Sequence, residues 1–264
     1  MSHIRANNVD DLVRAAVREQ YGKVARANTG CCCSPGCCTP AKEASLALGY
    51  TPGELGSVPA GANLGLGCGN PQAIAAIRPG ETILDLGAGA GFDCFLAAKQ
   101  VGPDGKVIGV DMTEEMVQKA RANAREAKVE NVEFRLGEIE HLPVADGEVD
   151  VIISNCVINL SPDKEAVFTE AFRVLKPGGR LAISDIVATA PIPDELAKNV
   201  KALTGCVSGA APVEKVQQLL QAAGFEKIRI DPQEESRGFI RDWFPGTNAE
   251  KYVVSAHIEG CKPR

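Results

Sequence analysis

The sequence predicts a doubly wound, mostly parallel α/β sheet of about seven strands. Three observations carry this expectation. From residue 80 onward, short apolar runs alternate with helical stretches several turns long, as strands joined by crossover helices do. A glycine run follows the first of these strands directly, where the next helix begins. The length, 264 residues with 45% hydrophobic and 23% charged side chains, suits one large α/β domain with appendages and excludes a disordered chain.

Taken in order, residues 9–27 place Val9, Leu12, Val13, Ala16 and Val17 at the three-and-four spacing of an apolar helix face. Residues 28–70 are rich in Gly, Pro, Ser and Cys and read as loop, with a short helix near Ala41–Leu48. Thr82–Leu86 is a buried-type strand that runs into glycines, and Phe92–Gln100 continues as a helix. Lys106–Met112 is the second strand, and Glu114–Ala127 a helix begun by Thr113 as capping residue. Val132–Leu136, Val149–Asn155 and Arg180–Ile186 are further strands, with a helix over Asp163–Leu175 ended by a sharp turn at Pro177-Gly178-Gly179. A helix at Val213–Ala223 and strands at Lys227–Asp231 and Lys251–Ile258 complete the set. The expected organisation is a helix and Cys-rich loop over 1–70, a ligand-binding core over 71–190, and a C-terminal part over 191–264 that completes the sheet.

The net charge of −6 lacks the basic excess that nucleic-acid binding requires. No apolar run is long enough to span a membrane, and residues 1–26 have no apolar signal core, so a cytoplasmic location without membrane association is expected. Ten cysteines are too few for a disulfide-built fold, and in a reducing compartment they are thiols. Cys33-x₃-Cys37 offers half of a zinc site, but no second half with that spacing follows.

The loop Asp85-Leu86-Gly87-Ala88-Gly89-Ala90-Gly91 lies where a strand turns into a helix, so its backbone can approach a ligand beside free N–H groups. A dinucleotide fingerprint starting at Gly87 needs a small residue at position 92, which is Phe92; this disfavours a nicotinamide dehydrogenase. The acidic-x-GxGxG pattern, from about Gly80 to Ile186, resembles the first motif of class I S-adenosylmethionine-dependent methyltransferases, which have a Rossmann-like core. That resemblance implies S-adenosylmethionine as cofactor, with its methionine end against Gly87, Gly89 and Gly91 and its ammonium on Asp85. Asp111, twenty residues past Gly91, would bind the ribose hydroxyls. Met112 would pack on the adenine, and Glu138 and Ile139 would border the ring edge. Asn155 and Cys156 would face the sulfonium. Tyr21 would cap the methionine end or pack as a helix-face aromatic.

Three further stretches narrow the resemblance: Gly67-Cys68-Gly69-Asn70-Pro71, Ser154-Asn155-Cys156-Val157-Ile158-Asn159-Leu160, and Thr204-Gly205-Cys206-Val207-Ser208-Gly209-Ala210. With the cofactor motifs they resemble the arsenite S-adenosylmethionine methyltransferase family over roughly residues 9–225. The resemblance implies Cys156 and Cys206 as thiolates holding As(III), Cys68 as third ligand and redox partner, and a fourth thiol from Cys31, Cys32, Cys33, Cys37 and Cys38, with Cys38 and Cys33 the candidates. It also implies thioredoxin or glutathione as reductant. Two positions depart from animal and algal members: Leu66 stands where they carry tyrosine, and Gly205 where they carry glutamate.

Thiolates suit this substrate independently of the family, because trivalent arsenic is soft and thiophilic. Cys94 reads as core packing, Cys261 as a surface thiol in the tail, His141 as a solvated loop residue, and Phe239, Trp243 and Phe244 as packing rather than a lid. Two other readings compete: methylation of a quinone or another small acceptor, with the thiols irrelevant to rate, and a thiol-based metalloid sensor without turnover.

Overall fold

Apolar alternation along each strand decides which side of the sheet every residue meets. The computed structural model describes residues 2–27, 40–197 and 205–264, with side chains from residue 10. Strands β1 (Thr82–Leu86), β2 (Lys106–Asp111), β3 (Val132–Leu136), β4 (Val149–Asn155) and β5 (Leu175–Ala188) run parallel. The short β6 (Ala211–Pro212) pairs with the end of β5. β7 (Glu226–Gln233) and β8 (Val253–Cys261) add antiparallel, giving the order β3-β2-β1-β4-β5-β8-β7. The order reverses between β1 and β4, and the crevice outside the C-terminal strand ends at such a reversal is where doubly wound sheets bind ligands.

Helices α1 (Ser2–Ala27), α2 (Ala41–Ala47), α3 (Pro52–Ser57) and α4 (Gln72–Ala75) precede the sheet. The others follow its strands: α5 (Phe92–Val101), α6 (Glu114–Ala127), α7 (Lys164–Val174), α8 (Asp194–Ala197), α9 (Val213–Ala223) and α10 (Arg237–Trp243). Leu84, Leu86, Ile108, Val110 and Ile152 pack on one sheet face against Val167 and Phe168 of α7 and Val216 and Leu220 of α9. Their strand neighbours Ile83, Val107, Val151 and Ile153 meet Phe95 and Ala97 of α5 and Val117 and Ala120 of α6 on the other. Burying side chains of this size stabilises by about 1.5–3 kcal/mol each. Among the described residues, no helix is long and apolar enough to cross a membrane.

Several local expectations need correction. Leu12 of the expected α1 face is 64% exposed, whereas Val17 of that face is buried, and Val24 and Ala25 are buried with it, the last two against Met116 of α6. Thr113 occupies the N-cap of α6 but makes no side-chain cap; its amide donates to Asp111 Oδ1 at 2.8 Å. The α7 cap is Asp163, whose carboxylate accepts from the Ala166 amide at 2.9 Å. Pro177-Gly178-Gly179 does not separate helix from strand: α7 ends at Val174 and the glycines form an irregularity inside β5, between the pairs Val149–Leu175 and Val151–Arg180. Cys261 lies in β8, opposite Arg180 and Glu226, rather than in a loose tail.

Candidate active site

A cavity of about 1020 Å³ opens at the C-terminal ends of β1, β2 and β4, at the upper end of the roughly 300–1,000 Å³ range of small-molecule sites. One half is built by the glycine loop. Gly87 turns the chain at φ +70, and a Cβ there would lie 2.4 Å from Val157 Cγ2, so only glycine fits. At Gly89, also at positive φ, a Cβ would meet nothing within 4 Å: this stretch of backbone faces open space. Gly91 is not on the wall. Its absent side chain instead admits Phe134 and Phe95, which lie against its α-carbon.

Carboxylates edge this half. Asp111 receives the Gly89 amide at 2.9 Å as well as that of Thr113, which pins it at the end of β2 with its pKa raised by burial. Asp85, 3% exposed at the end of β1, accepts from the Cys94 thiol at 3.2 Å. Burial and the nearby Asp93 push its carboxyl well above the carboxylate range. Asp93 itself is raised to about 6 by burial, although Tyr50, Gln72 and Asn155 donate to it. Two buried acids next to one another, facing a cavity, are a standing invitation to a cation.

Of the other residues expected here, Tyr21, Met112, Ile139 and Asn155 line the cavity, as do Leu66 and Gly205. Glu138 does not: its carboxylate pairs with Arg18 at 3.0 Å and Arg14 at 3.5 Å. Glu140 takes the place on the wall, held by Arg14 and by the Ser161 hydroxyl at 2.7 Å. Asn155 acts as a clamp as well as a wall. Its Oδ1 accepts from the Cys68 amide at 2.9 Å and its Nδ2 donates to the Gly69 carbonyl at 2.9 Å, which fastens the Cys68 loop to β4. Phe239, Trp243 and Phe244 pack on the core and also line the cavity, with Phe239 and Trp243 rings 4.8 Å apart, so packing alone does not describe them.

Thiols gather at the floor. Cys156 and Cys206 are both in the left-handed region, φ 61 and 63, where residues other than glycine are rare and strain tends to mark functional sites. The Cys206 thiol donates to the Cys156 carbonyl across 2.8 Å, and Cys68 Sγ lies 3.5 Å from the Ser184 carbonyl. Cys68 and Cys206 are 1% exposed, while Cys156 is half-buried on the cavity wall. Burial raises the Cys68 pKa; Cys206 is raised well above the ordinary value first by its contact with Cys156, then by burial. Cys156 is lowered by Cys206, but Cys68 and burial outweigh this and leave it well raised. Burial and mutual contact thus favour the protonated thiol at all three. Cys94 is buried within the α5 core, as expected, and His141 is exposed. Cys33 and Cys38, with the rest of their cluster, lie outside the described residues.

Sequence reasoning missed Tyr50, Asp93 and Asp185. Asp185, 2% exposed, accepts from the amides of Ile158 and Ile186 and from Asn159 Nδ2. Its signal was a Ser-Asp pair interrupting the apolar run of β5 near its C-terminal end.

A methyltransferase-domain family model matches residues 77–224. The chain is 55% identical to an arsenite methyltransferase of Halobacterium salinarum over 98% of its own length and 68% of that protein's. It is 44% identical to an arsenite methyltransferase of Aquipseudomonas alcaligenes over 62% of this chain and 49% of the relative. The chain thus spans about two thirds of the first relative and about half of the second. Among solved structures, an arsenic(III) S-adenosylmethionine methyltransferase from Chlamydomonas reinhardtii superposes with a TM-score of 0.60 at 33% identity, covering 85% of this chain and 74% of that one.

Proposed function

Because this chain belongs to the arsenite methyltransferase family, we propose that it transfers the methyl group of S-adenosylmethionine to arsenic held by its own thiols. The observation that carries this reading is convergence. Cys156 and Cys206, far apart in sequence, line the cavity whose other half is the glycine loop with Asp85 and Asp111, and Cys68 lies buried behind them with its sulfur beside that of Cys156.

The residues present fit the cofactor. Open space over Gly89, buried acids at Asp85 and Asp93 and a pinned carboxylate at Asp111 suit a ligand with an ammonium group, a carboxylate and a ribose. When bound, S-adenosylmethionine supplies an electrophilic methyl on a sulfonium. Asp85 would receive the ammonium, Asp111 the ribose hydroxyls, and Met112, Ile139 and Glu140 would border the base. Gly91 and Glu138 support this site from behind rather than touch the ligand.

Neutral thiols suit neutral arsenous acid. Each S–H that engages the arsenic gives its proton to a departing hydroxyl, which leaves as water, so no charge has to be created in the buried floor. Arsenic on two or three sulfurs keeps its lone pair, and the chain needs no general base. Its contribution is positioning: the strained Cys156 and Cys206 backbones and the Asn155 clamp hold the sulfurs opposite the glycine loop, and such alignment can supply several kcal/mol. Methylation formally takes arsenic from the trivalent to the pentavalent state. Two thiols, Cys68 and one of the 31–38 cluster, would return two electrons by forming a disulfide, which thioredoxin or glutathione would then reduce.

The deciding experiment incubates purified protein with arsenite, excess thiol and methyl-labelled S-adenosylmethionine and separates the arsenic species. Labelled methylarsenicals from the wild type and none from Cys156→Ser are expected. Cofactor binding without any methylated arsenic would overturn the reading in favour of another acceptor.

A further inference from the structure

The tightest cluster of donor atoms behind the cavity wall at Cys156 is not the three thiols. Among the described residues, Cys68 Sγ, Cys156 Sγ and a carboxylate oxygen of Asp185 all lie within 4.8 Å of one another. We propose that Cys68, Cys156 and Asp185 form a binding site for one divalent cation of the zinc or cadmium type, which occupies the cavity floor in competition with arsenite.

The donor set favours such a cation. Thiolates select soft and borderline metals, and two thiolates with one carboxylate leave the fourth position of a tetrahedron open to water. With metal–sulfur bonds near 2.3 Å and metal–oxygen bonds of 2.0–2.2 Å, neighbouring ligand atoms in a tetrahedron stand about 3.5–3.8 Å apart. The cluster needs to contract by only about 1 Å to reach that geometry. Trivalent arsenic makes little use of a hard carboxylate, whereas zinc accepts one readily.

Asp185 is oriented in advance. Its Oδ1 accepts from Ile186 N at 2.7 Å and from Asn159 Nδ2 at 2.9 Å, while among the described residues Oδ2 accepts only from Ile158 N at 2.8 Å. A carboxylate oxygen offers two lone-pair directions, so Oδ2 keeps one for a ligand. Such supporting hydrogen bonds are the usual companions of a metal-binding carboxylate. Cation binding releases the two thiol protons to solvent, and two thiolates and a carboxylate around a divalent ion then leave one negative charge. The half-buried Lys164, whose Nζ donates to the Ser161 carbonyl at 3.2 Å, brings a positive charge to this side of the site that offsets it. Ions reach the site through Cys156, the half-buried member on the cavity wall.

Cys206 is outside this group: its thiol turns to the Cys156 carbonyl. Cation and arsenite therefore share Cys156 and Cys68 but differ in the third donor, Asp185 for the one and Cys206 for the other. The cation site rests on its own donor geometry; only the competition rests on the arsenic reading.

The test is a cadmium titration of the full chain carrying Cys31→Ser, Cys32→Ser, Cys33→Ser, Cys37→Ser and Cys38→Ser, followed by thiolate-to-cadmium absorption and by cadmium-113 NMR. One cadmium per chain is expected, lost in Cys156→Ser and weakened at least about tenfold in Asp185→Asn. The NMR shift should report two sulfurs with oxygen ligands, a reading that holds even if Asp185→Asn fails to fold. No stoichiometric cadmium, binding indifferent to Cys156→Ser, or a shift for three sulfurs would overturn the site. Arsenite should displace the cadmium. Cadmium that arsenite cannot displace would support the cation site while telling against thiol-bound arsenic.

Discussion

The thiol of Cys206 donates to the main-chain carbonyl of Cys156 across 2.8 Å, joining two loops fifty residues apart in sequence. Both residues hold left-handed backbones, so each loop presents its sulfur from a conformation that the other helps to maintain. Replacing either sulfur should therefore disable the chemistry while leaving the cofactor half intact. Cys156→Ser and Cys206→Ser are expected to lose arsenite methylation by about a hundredfold or more. Their S-adenosylmethionine affinity, measured by calorimetry, should match the wild type; loss of cofactor binding in both would mean that the thiols serve the fold instead.

Gly209 permits the close approach on which the same arrangement depends. A Cβ built there would lie 2.1 Å from the Asn159 carbonyl oxygen, which is backbone and cannot swing away. Gly209→Ala should push the Cys206 loop off the Cys156 loop, at a cost of about 1–3 kcal/mol. Denaturant unfolding would read the cost, and arsenite methylation should fall with the cofactor affinity unchanged. Wild-type methylation by a normally stable Gly209→Ala would show that the two loops need not touch.

Cofactor binding should depend on pH. Asp93 has its pKa raised to about 6 by burial, and Asp85 beside it is raised further by burial and by Asp93. Below this range the free protein holds protons that a bound ammonium must expel. Affinity is thus expected to climb as pH rises through about 6, where Asp93 gives up its proton, by at most about tenfold per pH unit for that group. Calorimetry in buffers of different ionisation heat should detect proton release near pH 6, reduced in Asp93→Asn. A flat profile would mean that the acids are already ionised.

Trp243 is the only tryptophan in the chain and stands in the cavity wall against Phe239. Its fluorescence should change on adding S-adenosylmethionine or arsenite and follow the same saturation as calorimetry. Trp243→Phe, which keeps an aromatic wall, is expected to abolish the signal and retain most of the activity. No fluorescence change under conditions of proven binding would mean that ligands stay clear of α10.

How much of this was legible in the chain depended on range. The strand-and-glycine grammar around Asp85 and Asp111 is local, and positions read from it, such as Gly87, Gly89 and Met112, line the cavity. Gly91 and Glu138 share that grammar but face the protein, because a motif marks a turn without saying which side of it meets the ligand. Tyr50, Asp93 and Gln72 escaped notice for a different reason: their meaning lies in a buried hydrogen-bond network that joins three distant stretches of chain.

By itself the sequence determined the alternation of strands and helices, hence the doubly wound sheet, and it marked Cys68, Cys156 and Cys206 by the glycines or asparagines around them. These are consequences of local spacing, since side-chain periodicity dictates which face of an element is apolar. Only the tertiary structure decided which groups meet at and behind the cavity wall: Cys68 with Cys156 and Asp185, Cys206 turned to the Cys156 carbonyl, Glu140 in place of Glu138. That choice is made by loops from four parts of the chain closing over one sheet edge. Distances of a few ångströms between residues dozens of positions apart follow from packing, which no local pattern encodes.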